Sequence, residues 1–144
     1  MILVNIQLGN WAELQQEAKI IRTQVFVEEQ NVPVDIELDD MDVHCLHALA
    51  YHETGQAMGT GRLLPDGHIG RMAVLPAYRN MGVGAAILRA LMAQAKLRGQ
   101  TSVQLNAQIA AENFYRRHGF VRQGEQFQEA GITHVHMYAD LSLL

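Results

Sequence analysis

This sequence predicts one α/β domain of the α+β kind, with a mixed, mostly antiparallel central sheet and helices on both faces. Three observations carry that expectation. Segments of alternating apolar residues recur along the chain, two longer segments repeat apolar residues at helical spacing, and glycine-containing turns join three strands in succession. At 144 residues the whole chain, 1–144, is expected to form a single domain with one substantial core.

The elements follow in order. Ile2, Val4, Ile6 and Leu8 alternate along a first strand, which Gly9 and Asn10 break. Asn10 can cap a helix while Glu13 reaches back to it, and Trp11, Leu14, Ala18, Ile21 and Val25 recur at helical spacing until about Glu28. The acidic stretch around Asn31, Val32 and Pro33 lacks a steady period and reads as a loop, alone or with a short helical turn in it. Strands over 44–51, 57–64 and 68–75 are joined by Glu53-Thr54-Gly55 and Pro65-Asp66-Gly67, which suit antiparallel hairpins. Gly82 to Arg98 carries an apolar stripe of Val83, Ala86, Ile87, Ala90, Leu91 and Ala95, with Gly99 placed to end the helix. A strand at 102–108, a short helix at 110–118 and a last strand at 133–141 complete the order βαβββαβαβ. In the last strand Val135, Met137, Ala139 and Leu141 alternate with His134, His136, Tyr138 and Asp140.

Composition narrows the function. No apolar run approaches the roughly 20 residues that span a bilayer, and the chain lacks a signal-type start, so no membrane association and a cytoplasmic location are expected. Cys45 is the single cysteine, which leaves no intrachain disulfide and points to a small buried residue. His44 and His47 face opposite sides of their strand and no carboxylate completes a set with His52, so no metal site is expected. A net charge of −4 argues against general affinity for nucleic acid, yet it hides an asymmetry. Glu28, Glu29, Asp35, Glu37, Asp39, Asp40 and Asp42 form an acidic stretch without Lys or Arg. From Arg71 to Arg122 eight bases stand against Glu112 alone. Either the two stretches hold an anion and a cation at different places, or they are two solvated faces of opposite sign.

The most informative segment is Arg79-Asn80-Met81-Gly82-Val83-Gly84-Ala85, between a strand and the strongest helix. Gly82 and Gly84 let a ligand approach the backbone, and the first N–H groups of the helix have no intrahelical partner. Together with the helix dipole and Arg79 they form an anion cradle. A P-loop is excluded because no Lys-Ser or Lys-Thr follows, and a dinucleotide fingerprint because no third glycine does.

Arg79 to Ala85 resembles the R/Q-x-x-G-x-G/A signature of GNAT acetyltransferases. Ile69-Gly70-Arg71-Met72-Ala73-Val74 resembles that family's central strand, and Ala111 to Phe120 its A-x-x-F-Y-x-x-x-G-F element. The resemblance spans nearly the whole chain. It implies the GNAT fold, with acetyl-CoA bound through its pyrophosphate at Arg79, Asn80, Met81, Gly82, Val83, Gly84 and Ala85, and through its pantetheine arm along Met72, Ala73 and Val74. Where the family often carries Asn, seven residues before the tyrosine, this chain has Gln108, whose contact to the pantetheine region is the point of departure. Arg22, Phe26 and Glu37-Leu38-Asp39-Asp40-Met41-Asp42 also resemble the N-terminal pattern of acyl-homoserine-lactone synthases, which share the fold.

By resemblance Tyr115 is the general acid that protonates the leaving thiolate; the alternative is a tyrosine packed at a helix end. For the base, His134 or His136 is one candidate and a water chain to Glu28 or Glu29 another. The expected partners are acetyl-CoA and an amine, of cationic character if the acidic stretch lies on the acceptor side. An acyl-homoserine-lactone-type synthase and a non-catalytic acyl-CoA sensor are the other functions weighed. No pattern sets the oligomeric state, and a homodimer is one arrangement compatible with the sequence.

Overall fold

The computed structural model describes residues 2–144. β1 (Val4–Gly9), β2 (Leu46–His52), β3 (Ala57–Leu63) and β4 (Ile69–Val74) form an antiparallel sheet in that order. β5 (Ser102–Gln108), β8 (Ile132–Asp140) and β6 (Val121–Arg122) form a second, with β7 (Phe127–Glu129) also on β8. A single parallel bridge, His68 to Gln104, joins the two at β4 and β5.

Helices cover both faces. α3 (Val83–Leu97) lies on one, where Val83, Ile87, Leu88 and Leu91 share a core with Met58, Leu63, Leu105 and Met137. α1 (Trp11–Arg22) lies on the opposite face of the first sheet, packing Leu14, Ala18 and Ile21 on Leu49 and Ala73. Its start is the predicted capping box: Glu13 N donates to Asn10 Oδ1 and Asn10 N to Glu13 Oε1, both at 2.9 Å.

The rest of the predicted first helix is different in kind. Thr23–Glu29 is π-helical, wound with one more residue per hydrogen-bonded turn than an α-helix. The acidic loop contains α2 (Val34–Glu37) and a 3₁₀ turn at Asp42–His44, so β2 begins at Leu46 instead of His44. The predicted helix at 110–118 is a 3₁₀ turn, Ile109–Ala111, leading into the short α4 (Glu112–Arg116).

Candidate active site

β4 and β5 are the facing edges of the two sheets. Beyond the His68–Gln104 bridge they separate, since β4 pairs only with β3 and β5 only with β8. Backbone donors and acceptors of Gly70–Ala73 that point away from β3 are thereby left open to a ligand that lies in the gap. A bulge sharpens the divergence. The β3–β4 register shifts between Thr60 and Arg62, and Arg71 takes φ +50°. A left-handed arginine costs about 1–2 kcal/mol, and its guanidinium contacts to the acidic loop hold it in place.

At the C-terminal end of β4 the chain turns into α3. Gly82 is the N-cap at φ +85°, and no side chain caps the helix. Ala86 N is the first amide to close back, onto Gly82 O at 3.1 Å, so the N–H groups of Val83, Gly84 and Ala85 have no partner inside the helix. Gly84 sits where a Cβ would touch Phe114 Cζ at 3.4 Å, so a small residue there lets α3 approach α4. Arg79 requires a correction. Its two Nη atoms hold Glu29 at 2.7 and 2.8 Å and its Nε donates to Val74 O, so it braces the π-helical segment against β4 and is not a free cation at the helix terminus.

A cleft of about 470 Å³ occupies the gap, lined by β4, β5, β8, α2 and the π-helical segment. Tyr115 enters it from α4, 8% exposed, its ring edge-on to Phe114 and Phe120 at 5.1 and 5.7 Å. Burial pushes its phenol up to about 12. The hydroxyl stays protonated across the neutral range. Gln108, at the end of β5, lines the same cleft and donates from Nε2 to Gln30 Oε1 at 2.9 Å. Of the predicted β4 residues, Met72 lines the cleft, while the Ala73 side chain is buried against α1.

His134 stands opposite Gln108 in the β5–β8 register and is 6% exposed. Its Nδ1 lies 2.7 Å from Ile132 O. A carbonyl only accepts, so Nδ1 carries a proton toward it, and Nε2 faces Glu129 Oε2 at 3.6 Å. His136 instead bonds Asn106 and does not line the cleft. Glu28 is not brought to the cleft either. The π-helical winding turns Phe26 and Gln30 inward and leaves Glu28 exposed, beside Lys19 and Thr23 in a separate shallow depression. Arg79 holds the Glu29 carboxyl below the usual range by hydrogen bonding, which makes it a poor proton acceptor.

The acidic stretch supplies the other wall. Glu37 bonds Arg22 at 3.0 Å and Arg71 at 2.9 Å, Asp39 bonds Arg71 at 3.2 Å and Arg62 at 2.8 Å, and Asp42 bonds Arg62 and Arg22 at 2.8 Å each. Six alternating charges close into a ring, with Arg22, Glu37 and Asp42 nearly inaccessible to solvent. The expectation of a free acidic field fails here, because each of these carboxylates is held between two guanidinium groups.

Two features had little trace in the sequence. One is the ring, whose arginines come from three separate elements. The other is His68, which lines the cleft with Nδ1 2.9 Å from Asp66 Oδ2, within a turn whose composition announced only a hairpin.

A cleft between splayed parallel edges, an uncapped glycine helix start above it and a tyrosine from the following helix define an acyltransferase of the GNAT type, and comparison with known proteins agrees. The sequence profile of the acetyltransferase (GNAT) domain matches residues 13–141, and the chain belongs to that family. It is 37% identical over 132 residues to the uncharacterized N-acetyltransferase YjcF of Bacillus subtilis, covering 89% of this chain and 94% of the relative. Its fold superposes on the acyl-CoA N-acyltransferase from Pseudomonas aeruginosa with a TM-score of 0.82 at 32% identity, covering 95% of this chain and 99% of that one. Escherichia coli ElaA superposes with a TM-score of 0.83 at 28% identity, over 94% of this chain and 99% of its own. Among the described residues no helix is long and apolar enough to cross a membrane, and no three His, Cys, Asp or Glu side chains group as metal ligands.

Proposed function

We propose that this protein transfers an acetyl group directly from acetyl-CoA to a primary amine. The observation that carries the reading is the cleft between β4 and β5, which brings Tyr115, Gln108 and His134 to one space beside open strand backbone. The pyrophosphate is assigned to the free N–H groups of Val83, Gly84 and Ala85, with Asn80 and Met81 in the turn before them, and the pantetheine arm to the backbone of Met72–Val74. His134 Nε2 accepts a proton from the ammonium form of the acceptor. The neutral nitrogen attacks the thioester carbonyl, the C–N bond forms, the C–S bond breaks, the nitrogen sheds its second proton to water, and Tyr115 donates a hydrogen bond to the departing sulfur. The thiol, with a pKa of about 8.5 in its free form, is a better acid than the buried phenol. Tyr115 therefore acts first as a hydrogen-bond donor to the thiolate, and protonation is completed in exchange with water. An acyl-CoA sensor would have no use for a proton acceptor at His134.

The test is to screen amines for acetyl-CoA-dependent thiol release and then compare Tyr115→Phe with the wild type. Phe keeps both ring contacts, so the variant should fold, lose about 10²-fold or more in turnover and bind acetyl-CoA within about threefold of the wild type. Unchanged turnover would return Tyr115 to a packing role.

A further inference from the structure

The acceptor half of the cleft has a chemistry of its own, which the charge pattern of the chain conceals. Apart from Glu129, its fixed charges belong to the ring of Arg22, Glu37, Arg71, Asp39, Arg62 and Asp42, three positive and three negative, of which Glu37, Asp39, Arg62 and Arg71 line the cleft. No carboxylate of the ring is free to pair with an incoming cation unless an existing bidentate or shared arginine contact is given up. Of the remaining acids of the stretch, Glu28, Asp35 and Asp40 lie outside the cleft lining. Glu129, half exposed beside His134, is the one carboxylate in the lining without an arginine partner among the described residues. The walls between carry Phe26, Val32, Ile36, Leu64, Ile69 and Ile132, with Gln30, Asn106 and Gln108 as uncharged polar groups among them. At the rim Ile36 of α2, about half exposed, is part of this lining. A cavity lined by large apolar side chains with a few convergent polar groups suits a ligand with an apolar body.

We propose that the acceptor is a small monoamine with an aliphatic or aromatic body, which lies against the Phe26, Ile36 and Ile132 wall while its single ammonium group meets Glu129 and His134. A polyamine or a lysine-like diamine would carry a second charge onto a wall that has no free counter-charge, and its desolvation would go uncompensated. This rests on the acetyltransferase reading of the same cleft.

The experiment uses the wild-type protein with propylamine, butylamine, hexylamine, 2-phenylethylamine, spermidine and lysine. Thiol release with acetyl-CoA gives kcat/KM, and calorimetry in the presence of CoA gives the affinity for each amine independently of transfer. Both should rise by up to about fourfold for each added methylene, with 2-phenylethylamine and hexylamine ahead of spermidine and lysine. Ile36→Asp, at an exposed position, should lower kcat/KM for 2-phenylethylamine at least about tenfold and leave acetyl-CoA affinity within about twofold. If spermidine or lysine is the best acceptor, or if rate and affinity are flat along the alkyl series, the inference is overturned while acetyl transfer stands. If apolar amines bind with rising affinity and none is acetylated, the inference stands and acetyl transfer falls.

Discussion

Replacing Asp42 with Asn tests whether the ring of charges holds the acceptor wall. Asp42 Oδ1 accepts from Arg22 Nη1 and Arg62 Nη1 at 2.8 Å each, and Oδ2 from Arg22 Nη2 at 3.1 Å. Burial raises the carboxyl's pKa, but hydrogen bonds and charge from the two arginines outweigh it and the group is held below its usual range. An amide in its place removes one negative charge from a balanced set and turns an N–H₂ group toward guanidinium donors. Uncompensated charge of this kind, left in a protein interior, costs about 3–5 kcal/mol. That is a large part of the 5–15 kcal/mol that typically stabilises a domain, and at about 3 °C per kcal/mol it amounts to roughly 10–15 °C in Tm. Thermal and urea denaturation followed by circular dichroism measure both quantities. Asp40→Asn, two residues away on an exposed carboxylate, is the control and should change stability by less than about 0.5 kcal/mol. An Asp42→Asn protein within about 1 kcal/mol of the wild type would refute the reasoning, since the two arginines would then have found solvent or other partners at little cost.

Asp39 predicts an acid response. Its carboxyl is held at about 2, first by hydrogen bonds from Arg62, so its contribution of about 2 kcal/mol is complete above the unfolded value near 3.8 and lost as pH falls through about 2. The urea midpoint should fall between about pH 5 and 2 in the wild type, and less steeply in Asp39→Asn; equal slopes would count against the pairing. Gly82→Ala tests the anion cradle, because a Cβ at φ +85° meets no atom within 4 Å yet strains the turn by about 1 kcal/mol. The variant should fold and bind acetyl-CoA at least about tenfold more weakly by calorimetry, and equal affinity would move the pyrophosphate elsewhere.

The sequence carried local signals well and non-local ones hardly at all. Asn10 and Glu13 form the cap that their spacing announced, α3 buries its predicted stripe, and β8 alternates as expected except that His134 is also buried. These follow from period and capping, which act within a few residues. β6 and β7 have two and three residues, too few to display a period, and exist because β8 offers them an edge. The π-helical segment was invisible for another reason. Trp11 to Val25 has one apolar rhythm throughout, and the change of winding from Thr23 onward answers to what packs there: Phe26 and Gln30 on the cleft, and Glu29 on Arg79.

Charge is where local and non-local information diverge most. Read along the chain, Glu37, Asp39 and Asp42 belong to a run of acids without bases, and Arg71 to a distant basic half. The fold brings Arg22 from α1, Arg62 from β3 and Arg71 from the β4 bulge against that run, across separations of 15 to 34 residues. Net charge along the sequence is unchanged by this, but the field it exerts on a ligand is not, because opposite charges about 3 Å apart cancel beyond a few ångströms. The pairing also explains why Arg71 adopts a conformation its side chain disfavours: in the left-handed region it reaches Glu37 and Asp39, and the same bulge helps part β4 from β5. The acids of the run thus anchor the strand distortion beside the cleft instead of offering a free field to a ligand.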